Sequence, residues 1–217
     1  MGRLVSEQLQ PVPTAEWVQN SEVAAMRDGE IVSGLRCGDQ NAWTTLYDSY
    51  SVRIWRYVAK LVGPNVAAVA DIVQETMLAA AQSAQSFDDT RGTLWQWLSG
   101  VAHNSVSKYW RAEQQANRLR SLAESNDGQL NANLHLLTPS TESAGDQLER
   151  QELADLVRAA LARLPADYAA LLTAKYIDEL SLAEIQLQTG HTSDAVRSKM
   201  VRARSEFRDV FQRITHD

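Results

Sequence analysis

Between residues 39 and 62 the chain reads DQNAWTTLYDSYSVRIWRYVAKLV, with apolar side chains at Trp43, Leu46, Tyr47, Tyr50, Ile54, Tyr57, Val58 and Leu61. Steps of three and four gather these residues on one side of a helix, whereas a strand, with its period of two, would scatter them over both faces. The spacing recurs along the chain, and no stretch alternates apolar with polar between turn signals as a half-buried strand does. The expected fold class is all-α.

Punctuation divides this helical chain. Residues 1–27, with Pro11 and Pro13, form an N-terminal extension, and Gly29 and Gly38 bracket a short helix. Gly63 and Pro64 end the helix described above. The next helix covers about 66–85, with Val66, Val69, Val73, Met77, Ala80 and Ala84 as its inner face. SFDDTRG (86–92) is a loop by composition, and TLWQWLSGVAHNSVSKYWRAE (93–113) is a further, strongly aromatic helix. From 115 to 142 the composition turns to Asn, Ser, Gln and Gly, which predicts a linker containing at most one short helix. Beyond it SAGDQLERQELADLVRAALARL runs to Pro165, ADYAALLTAKYI follows, and two helices occupy about 181–189 and 193–213. The expected organisation is an extension (1–27), a first helical domain (28–114), a linker (115–142) and a second helical domain (143–217).

Charge is distributed unevenly. The formal net charge is −6, yet residues 91–120 carry Arg91, Lys108, Arg111, Arg118 and Arg120 against Glu113 alone. Residues 193–217 carry six bases against four acids, while 121–160 carry seven acids against two arginines. Two basic segments flanking an acidic one suit two nucleic-acid contacts joined by a solvated connector. The single cysteine, Cys37, cannot form an intrachain disulfide, and a reducing, cytoplasmic setting is expected. The opening residues MGRLVSEQLQPVPTAEW lack the apolar core of a secretory signal, and no apolar run reaches the ~18 residues that span a bilayer. His103, His135, His191 and His216 are far apart and lie in no metal-binding pattern. No nucleophile constellation, acid–base pair or phosphate loop is visible. A non-enzymatic protein without cofactor or metal is expected.

The last helix shows which of its sides is free. Val196, Met200, Ala203, Phe207 and Val210 make an apolar stripe, so Arg197, Ser198, Val201 and Arg202 face away from it, with Arg204 and Arg208 toward one edge. Thr192 or Ser193 can cap its start, and Asp194 suits the dipole there. The preceding SLAEIQLQTGHTS supplies a short helix and Gly190 for a tight turn. Together these predict a helix-turn-helix, whose second helix enters a major groove.

GDQNAWTTLYDSYSVRIWRYVAKLVG with ADIVQETMLAA, then FDDTRGTLWQWLSGVAHNSVSKYWR, then LARLPADYAALLTAKYIDELSLAEIQLQTGHTSDAVRSKMVRARSEFR, resemble in order and spacing the bacterial RNA polymerase sigma factors of the extracytoplasmic-function group. The resemblance covers roughly 35–111 and 145–210. It implies a first domain that binds and melts the downstream promoter element and a second that binds the upstream element. The implied partners are promoter DNA, core RNA polymerase (the coiled-coil of its largest subunit, and its flap) and, for members so regulated, an anti-sigma factor. Asp71, Gln74, Glu75 and Leu78, at i, i+3, i+4 and i+7, would meet the coiled-coil. The like charges of Asp71 and Glu75 on one face call for a cationic partner. Ser86, Phe87 and Asp88 form the loop where the family pockets a flipped base, with Phe87 as its anchor. Trp95, Tyr109 and Trp110 with Lys108 and Arg111 suit single-stranded DNA, by stacking and phosphate attraction. Trp97 is expected in the core, and Asn104 falls in an "ARN"-like position, here AHN. Asp194, Arg197, Ser198, Val201, Arg202, Arg204 and Arg208 would face the upstream element. The chain departs from the family pattern at Ala81, Gln186, Thr189, His191 and Val201. Two other readings fit the helices alone: a helix-turn-helix regulator that replaces no sigma factor, and a sigma-like interaction module that does not read DNA.

Overall fold

The computed structural model describes residues 28–88, 90–126 and 144–216, with side chains for 28–88, 90–120 and 147–216. The expected N-terminal extension therefore lies outside the described residues, as does most of the expected linker. Eight α-helices and no strand are present among the described residues. They are α1 (28–36), α2 (Gln40–Val62), α3 (Val66–Ser83), α4 (Leu94–Asn126), α5 (Ala144–Arg163), α6 (Ala166–Tyr176), α7 (Leu182–Thr189) and α8 (Ser193–His216). A 3₁₀ turn, Ala84–Ser86, follows α3.

The helices begin where side chains can satisfy their first N–H groups. Asp39 accepts from Asn41 N at 2.9 Å and Asn65 from Ala68 N at 3.1 Å. Thr93 and Gln96 form a reciprocal pair at the start of α4: Gln96 N donates to Thr93 Oγ1 at 3.2 Å and Thr93 N to Gln96 Oε1 at 2.9 Å. Ser181 and Glu184 do the same for α7. Helix α7 ends at Gly190, whose φ of 69° is left-handed, where a β-carbon would be strained.

Helices α1–α4 form the first unit. The buried side of α2 is Ala42, Leu46, Tyr50, Ile54, Tyr57, Val58, Leu61 and Val62. Two residues expected there behave differently: Trp43 is half-buried, and Tyr47 is 57% exposed. In α3 the inward residues are Val69, Ile72, Val73, Thr76 and Ala80, while Val66 is exposed and Met77 only half-buried. The inner stripe is thus rotated from the expected one, because Thr76 can be buried once its hydroxyl donates to Ile72 O at 2.7 Å. Helix α4 extends to Asn126, well past the expected linker boundary. Its last turns, AEQQANRLRSLAES, are rich in strong helix formers, and Arg120 pairs with Glu113 at 3.3 Å. That exposed pair is worth at most about 1 kcal/mol. Truncating a fully buried residue such as Leu98 or Ile54 costs about 2–5 kcal/mol, so the core decides stability.

Helices α5–α8 form the second unit. Ala159, Ala160, Leu161 and Ala162 are 3%, 0%, 4% and 1% exposed. Four consecutive helical residues point in four directions, so α5 is covered on every side at this level. The second unit supplies one wall, and α2 and α4 supply the other. His103 of α4 lies in that interface. Its Nε2 is 2.8 Å from Leu164 O. A carbonyl only accepts, so Nε2 carries the proton, and the buried Nδ1 has no partner. Burial lowers the His103 pKa below the usual histidine value, opposed by the Leu164 carbonyl and by Asp167 of α6, which itself pairs with Lys199. A lowered folded-state pKa means that the unfolded chain binds the extra proton more readily. The stability His103 confers is therefore complete above about pH 6.5 and is lost as pH falls below it. Thermal denaturation near pH 7.5 and pH 5.5 should show a larger loss for the wild-type chain than for His103→Asn; an equal loss would place the acid sensitivity elsewhere.

Candidate functional site

Helix α3 presents Asp71, Gln74, Glu75 and Leu78 to solvent along one side, as the spacing predicts. Glu75 is paired with Lys108 of α4 at 3.0 Å. Beside this face Trp43, Tyr47 and Met77, with Gln40, Thr44 and Leu46, line a groove between α2 and α3. These residues read as core in the sequence because aromatic and apolar positions at helical spacing usually are. A face carrying both exposed aromatics and acids can meet a partner that is itself amphipathic and basic.

The loop after α3 is shaped by one inward side chain. Phe87 is buried, edge-on to the half-buried Trp97 at 5.6 Å, and its carbonyl accepts from Arg36 at 2.5 Å. Phe87 is therefore the anchor expected of it and not part of the loop's DNA surface, and it leaves Ser86 and Asp88 outside. The Asp88 carboxylate accepts from Thr90 Oγ1 at 2.6 Å and Thr90 N at 3.0 Å. Those hydrogen bonds, the side-chain one foremost, lower its pKa, so it stays an acceptor. An acceptor there suits a base amino group and repels a phosphate.

Along α4 the exposed residues Asn104, Lys108 and Arg111 follow at i, i+4 and i+7, a single polar stripe ending in positive charge. The aromatics around it divide. Trp110 is 8% exposed, and its indole N–H donates to Leu61 O at 2.8 Å, closing one of the open carbonyls in the last turn of α2. It is a core residue, a correction to the expected DNA surface. Tyr109 is half-buried, edge-on to Trp110 at 5.5 Å. Trp95 is half-buried, stacked near Tyr50 at 6.4 Å and edge-on to Tyr57 at 6.1 Å. The Arg53 guanidinium lies 3.9 Å from the Trp95 ring centre. Arg53 is absent from the residues singled out in the sequence. Its signal was present, since Tyr50, Arg53 and Tyr57 share one face of α2 at i, i+3 and i+7.

In the second unit α7, the Gly190 turn and α8 form the expected helix-turn-helix. Thr192 caps α8, its Oγ1 accepting from Ala195 N at 3.3 Å. Val196, Met200, Ala203 and Val210 are buried; Phe207 is half-buried and stacked on Phe211 at 5.8 Å. Asp194, Arg197, Ser198, Val201 (66% exposed), Arg202, Arg204 and Arg208 all lie open. Arg204 sits 5.5 Å from the Tyr176 ring of α6, which holds it toward the edge of the face. The departures from the family pattern are accommodated: Thr189 donates to Ile185 O at 2.8 Å, Gln186 is half-buried, and His191 is exposed.

Comparison with known proteins places this architecture. Residues 46–116 match Sigma-70 region 2, and residues 154–207 match Sigma-70, region 4. The ECF RNA polymerase sigma factor SigL of Mycobacterium tuberculosis (strain ATCC 25618 / H37Rv) is 31% identical over 169 residues, 78% of this chain and 88% of that protein. The chain belongs to the extracytoplasmic-function sigma factors. SigW of Bacillus subtilis (strain 168) is 27% identical over 183 residues, 82% of this chain and 92% of that one. A solved structure of CnrH in complex with the cytosolic domain of CnrY aligns over 86% of this chain and 97% of that chain, at 19% identity and a TM-score of 0.43. As a sigma factor the protein is a non-enzymatic partner of core RNA polymerase that directs transcription initiation. Its region 2 binds the −10 element and its region 4 the −35 element. Membership sets aside the regulator and interaction-module readings. No helix among the described residues is long and apolar enough to cross a membrane.

The placement of Trp110 separates core from interface in this sigma factor. Trp110→Phe should leave the Leu61 carbonyl unpaired and cost about 1–3 kcal/mol in chemical denaturation, with transcription per folded molecule unchanged. A sequence-independent loss of DNA binding at full stability would return Trp110 to the DNA surface.

Proposed function

We propose how the exposed residues divide the work of this sigma factor. Asp71, Gln74, Glu75 and Leu78, with the groove at Trp43, Tyr47 and Met77, receive the coiled-coil of the polymerase's largest subunit, and region 4 meets the flap. Ser86 and Asp88 border the site of a flipped base, read by hydrogen bonds to its edge. Asn104, Lys108 and Arg111 carry the strand past it, with the free edges of Trp95 and Tyr109 available for stacking. Arg197, Ser198, Val201 and Arg202 face base edges of the −35 element, Val201 offering an apolar contact for a thymine methyl. Arg204 and Arg208 lie nearer phosphates, and Asp194 stands at the α8 N-terminus, where it can accept from a cytosine amino group. The protein acts in the cytoplasm, where an anti-sigma factor would restrain it by covering these same faces.

The observation that carries the reading is the helix α8, whose buried stripe leaves Arg197, Ser198, Val201 and Arg202 as one open face at a capped helix start. Run-off transcription with purified core polymerase on a genomic fragment library would test the assignment and identify the promoter. On that promoter, Arg197→Ala and Arg202→Ala should each remove about 1–3 kcal/mol of discrimination at one base pair. Arg208→Ala should weaken all sequences alike and reduce the salt slope by about one. Equal, sequence-independent losses at all three would make α8 an electrostatic anchor only. Lys108→Ala with Arg111→Ala should slow open-complex formation, and a pre-melted template should recover much of the loss. No recovery on the bubble would remove α4 from the melting step.

A further inference from the structure

The loop that offers Ser86 and Asp88 is shaped mostly by its own residues. Ser86 Oγ donates to Ser83 O at 2.6 Å, Phe87 N to Ala84 O at 3.3 Å and Arg91 N to Asp88 O at 3.1 Å, and Thr90 closes on the Asp88 carboxylate. Bonds within 83–91 give the turn its form but do not fix where it stands on the first unit. Among the described residues two contacts do that. One is the Phe87 ring against Trp97. The other is the Arg36 guanidinium, which donates to Phe87 O at 2.5 Å from 51 positions earlier in the chain. The ring contact holds Phe87 in the core without deciding how the peptide beyond it is turned. The bond from Arg36 decides that. A peptide group is planar, so holding Phe87 O also sets the Asp88 N–H and the direction in which the chain delivers the Asp88 side chain.

Arg36 is mounted rigidly enough for this. It is the last residue of α1, and Ile31, Val32 and Leu35 of that helix are buried. The helix is pinned at its start by Tyr50 of α2, whose hydroxyl donates to Asp28 Oδ1 at 2.5 Å. Its end is closed by Gly38 N to Leu35 O at 3.1 Å and Asp39 N to Gly34 O at 2.9 Å. Between these points α1 lies so close to α2 that a β-carbon on Gly34 would stand 2.5 Å from that of Ala42. The Arg36 charge also reaches Asp88, whose pKa is lowered first by the Thr90 hydrogen bonds and then by Arg91 and Arg36. Helix α1 precedes the stretch that matches region 2, which begins at residue 46.

We infer that Arg36 is a positioning residue for base reading: through the Phe87 carbonyl it sets the angle at which the loop presents the Asp88 acceptor, so that α1, which lies outside the DNA surface, governs selectivity at one position of the −10 element. The inference rests on this loop bordering the flipped base. Its test uses the full chain with core polymerase, on promoters carrying each base in turn across the −10 element. Asp88→Ala identifies the position the loop reads, by the preference it abolishes. Arg36→Ala should lower the preference at that same position about threefold to tenfold, the worth of one hydrogen bond, and leave core-polymerase affinity, the other positions and the salt slope unchanged. The double variant should discriminate no worse than Asp88→Ala alone, since both changes act on one contact. Arg36→Lys, which keeps a donor of similar reach, should recover much of the preference. In the free chain, amide exchange over 86–91 should be faster in Arg36→Ala than in wild type. A wild-type preference in Arg36→Ala overturns the inference. So does an equal loss on all sequences with the salt slope reduced by about one, which would make Arg36 a phosphate contact. If Asp88→Ala alters no preference, the reading of this loop as the base site fails; the exchange rates then still decide whether Arg36 holds the loop, and rates equal to wild type overturn that as well.

Discussion

The burial of α4 is the constraint on which the rest of the structure depends. Leu94, Leu98, Ala102 and Val106, at four-residue steps, are essentially inaccessible and seat the helix against α2 and α3. Trp110 completes the seam and closes a carbonyl of α2. Once that side is committed, the rotation of the helix is set, and so is the direction of every other side chain on it. Asn104, Lys108 and Arg111 then lie on the open side, Lys108 within reach of Glu75, while His103 and Ser107 face the end of α5. The basic stripe is a consequence of core packing as much as of its own residues. Truncating Leu94, Leu98 or Val106 would disturb the DNA, polymerase and inter-unit faces together.

The charge distribution follows the same division of labour. The chain is acidic overall, yet α4 and α8, the two helices with open reading faces, each carry more bases than acids. A negative total discourages the free protein from settling on bulk DNA, and two local positive faces are each too small to overcome this alone. Affinity for a promoter must then come from engaging both at once. The Glu75–Lys108 pair joins the polymerase face to the DNA face directly. Being exposed, it contributes little to stability, so its charges remain available to partners that bring the opposite sign.

Much of this was legible in the sequence, and the exceptions share a cause. Helix positions, the Gly190 turn, the capping signal of α8 and the α8 stripe all follow from local rules, and those rules operate within a few residues. The side of a helix that ends up buried depends on distant partners. Tyr47 and Trp43 fit the apolar period of α2 but lie where α3 and α4 do not cover them. Thr76 breaks the apolar period of α3 and is buried, because its hydroxyl finds a carbonyl in its own helix. Trp110 and Tyr109, adjacent in sequence and equally aromatic, separate into core and edge only because Leu61 O lies within reach of one indole. Helix α4 runs past its expected end because composition alone does not distinguish a polar linker from a polar helix. The open side of α8 was readable, since there it is the side left over from a clear apolar stripe.

The contact between the units explains a feature of α4 that DNA binding alone leaves unaccounted for. A helix serving only a core and a DNA strand needs an apolar side and a basic side. This one has a third, made of Gln96, His103, Ser107 and Gln114, with His103 and Ser107 buried at its centre and the two glutamines half-buried toward its ends. Buried polar groups cost free energy unless paired, so such a stripe is tolerated only where partners are fixed in position. Helix-end carbonyls are such partners, being rigid, directional and otherwise unfilled. Polar pairing gives one defined geometry of α5 against α4, because a hydrogen bond fixes direction as well as distance where an apolar contact fixes neither.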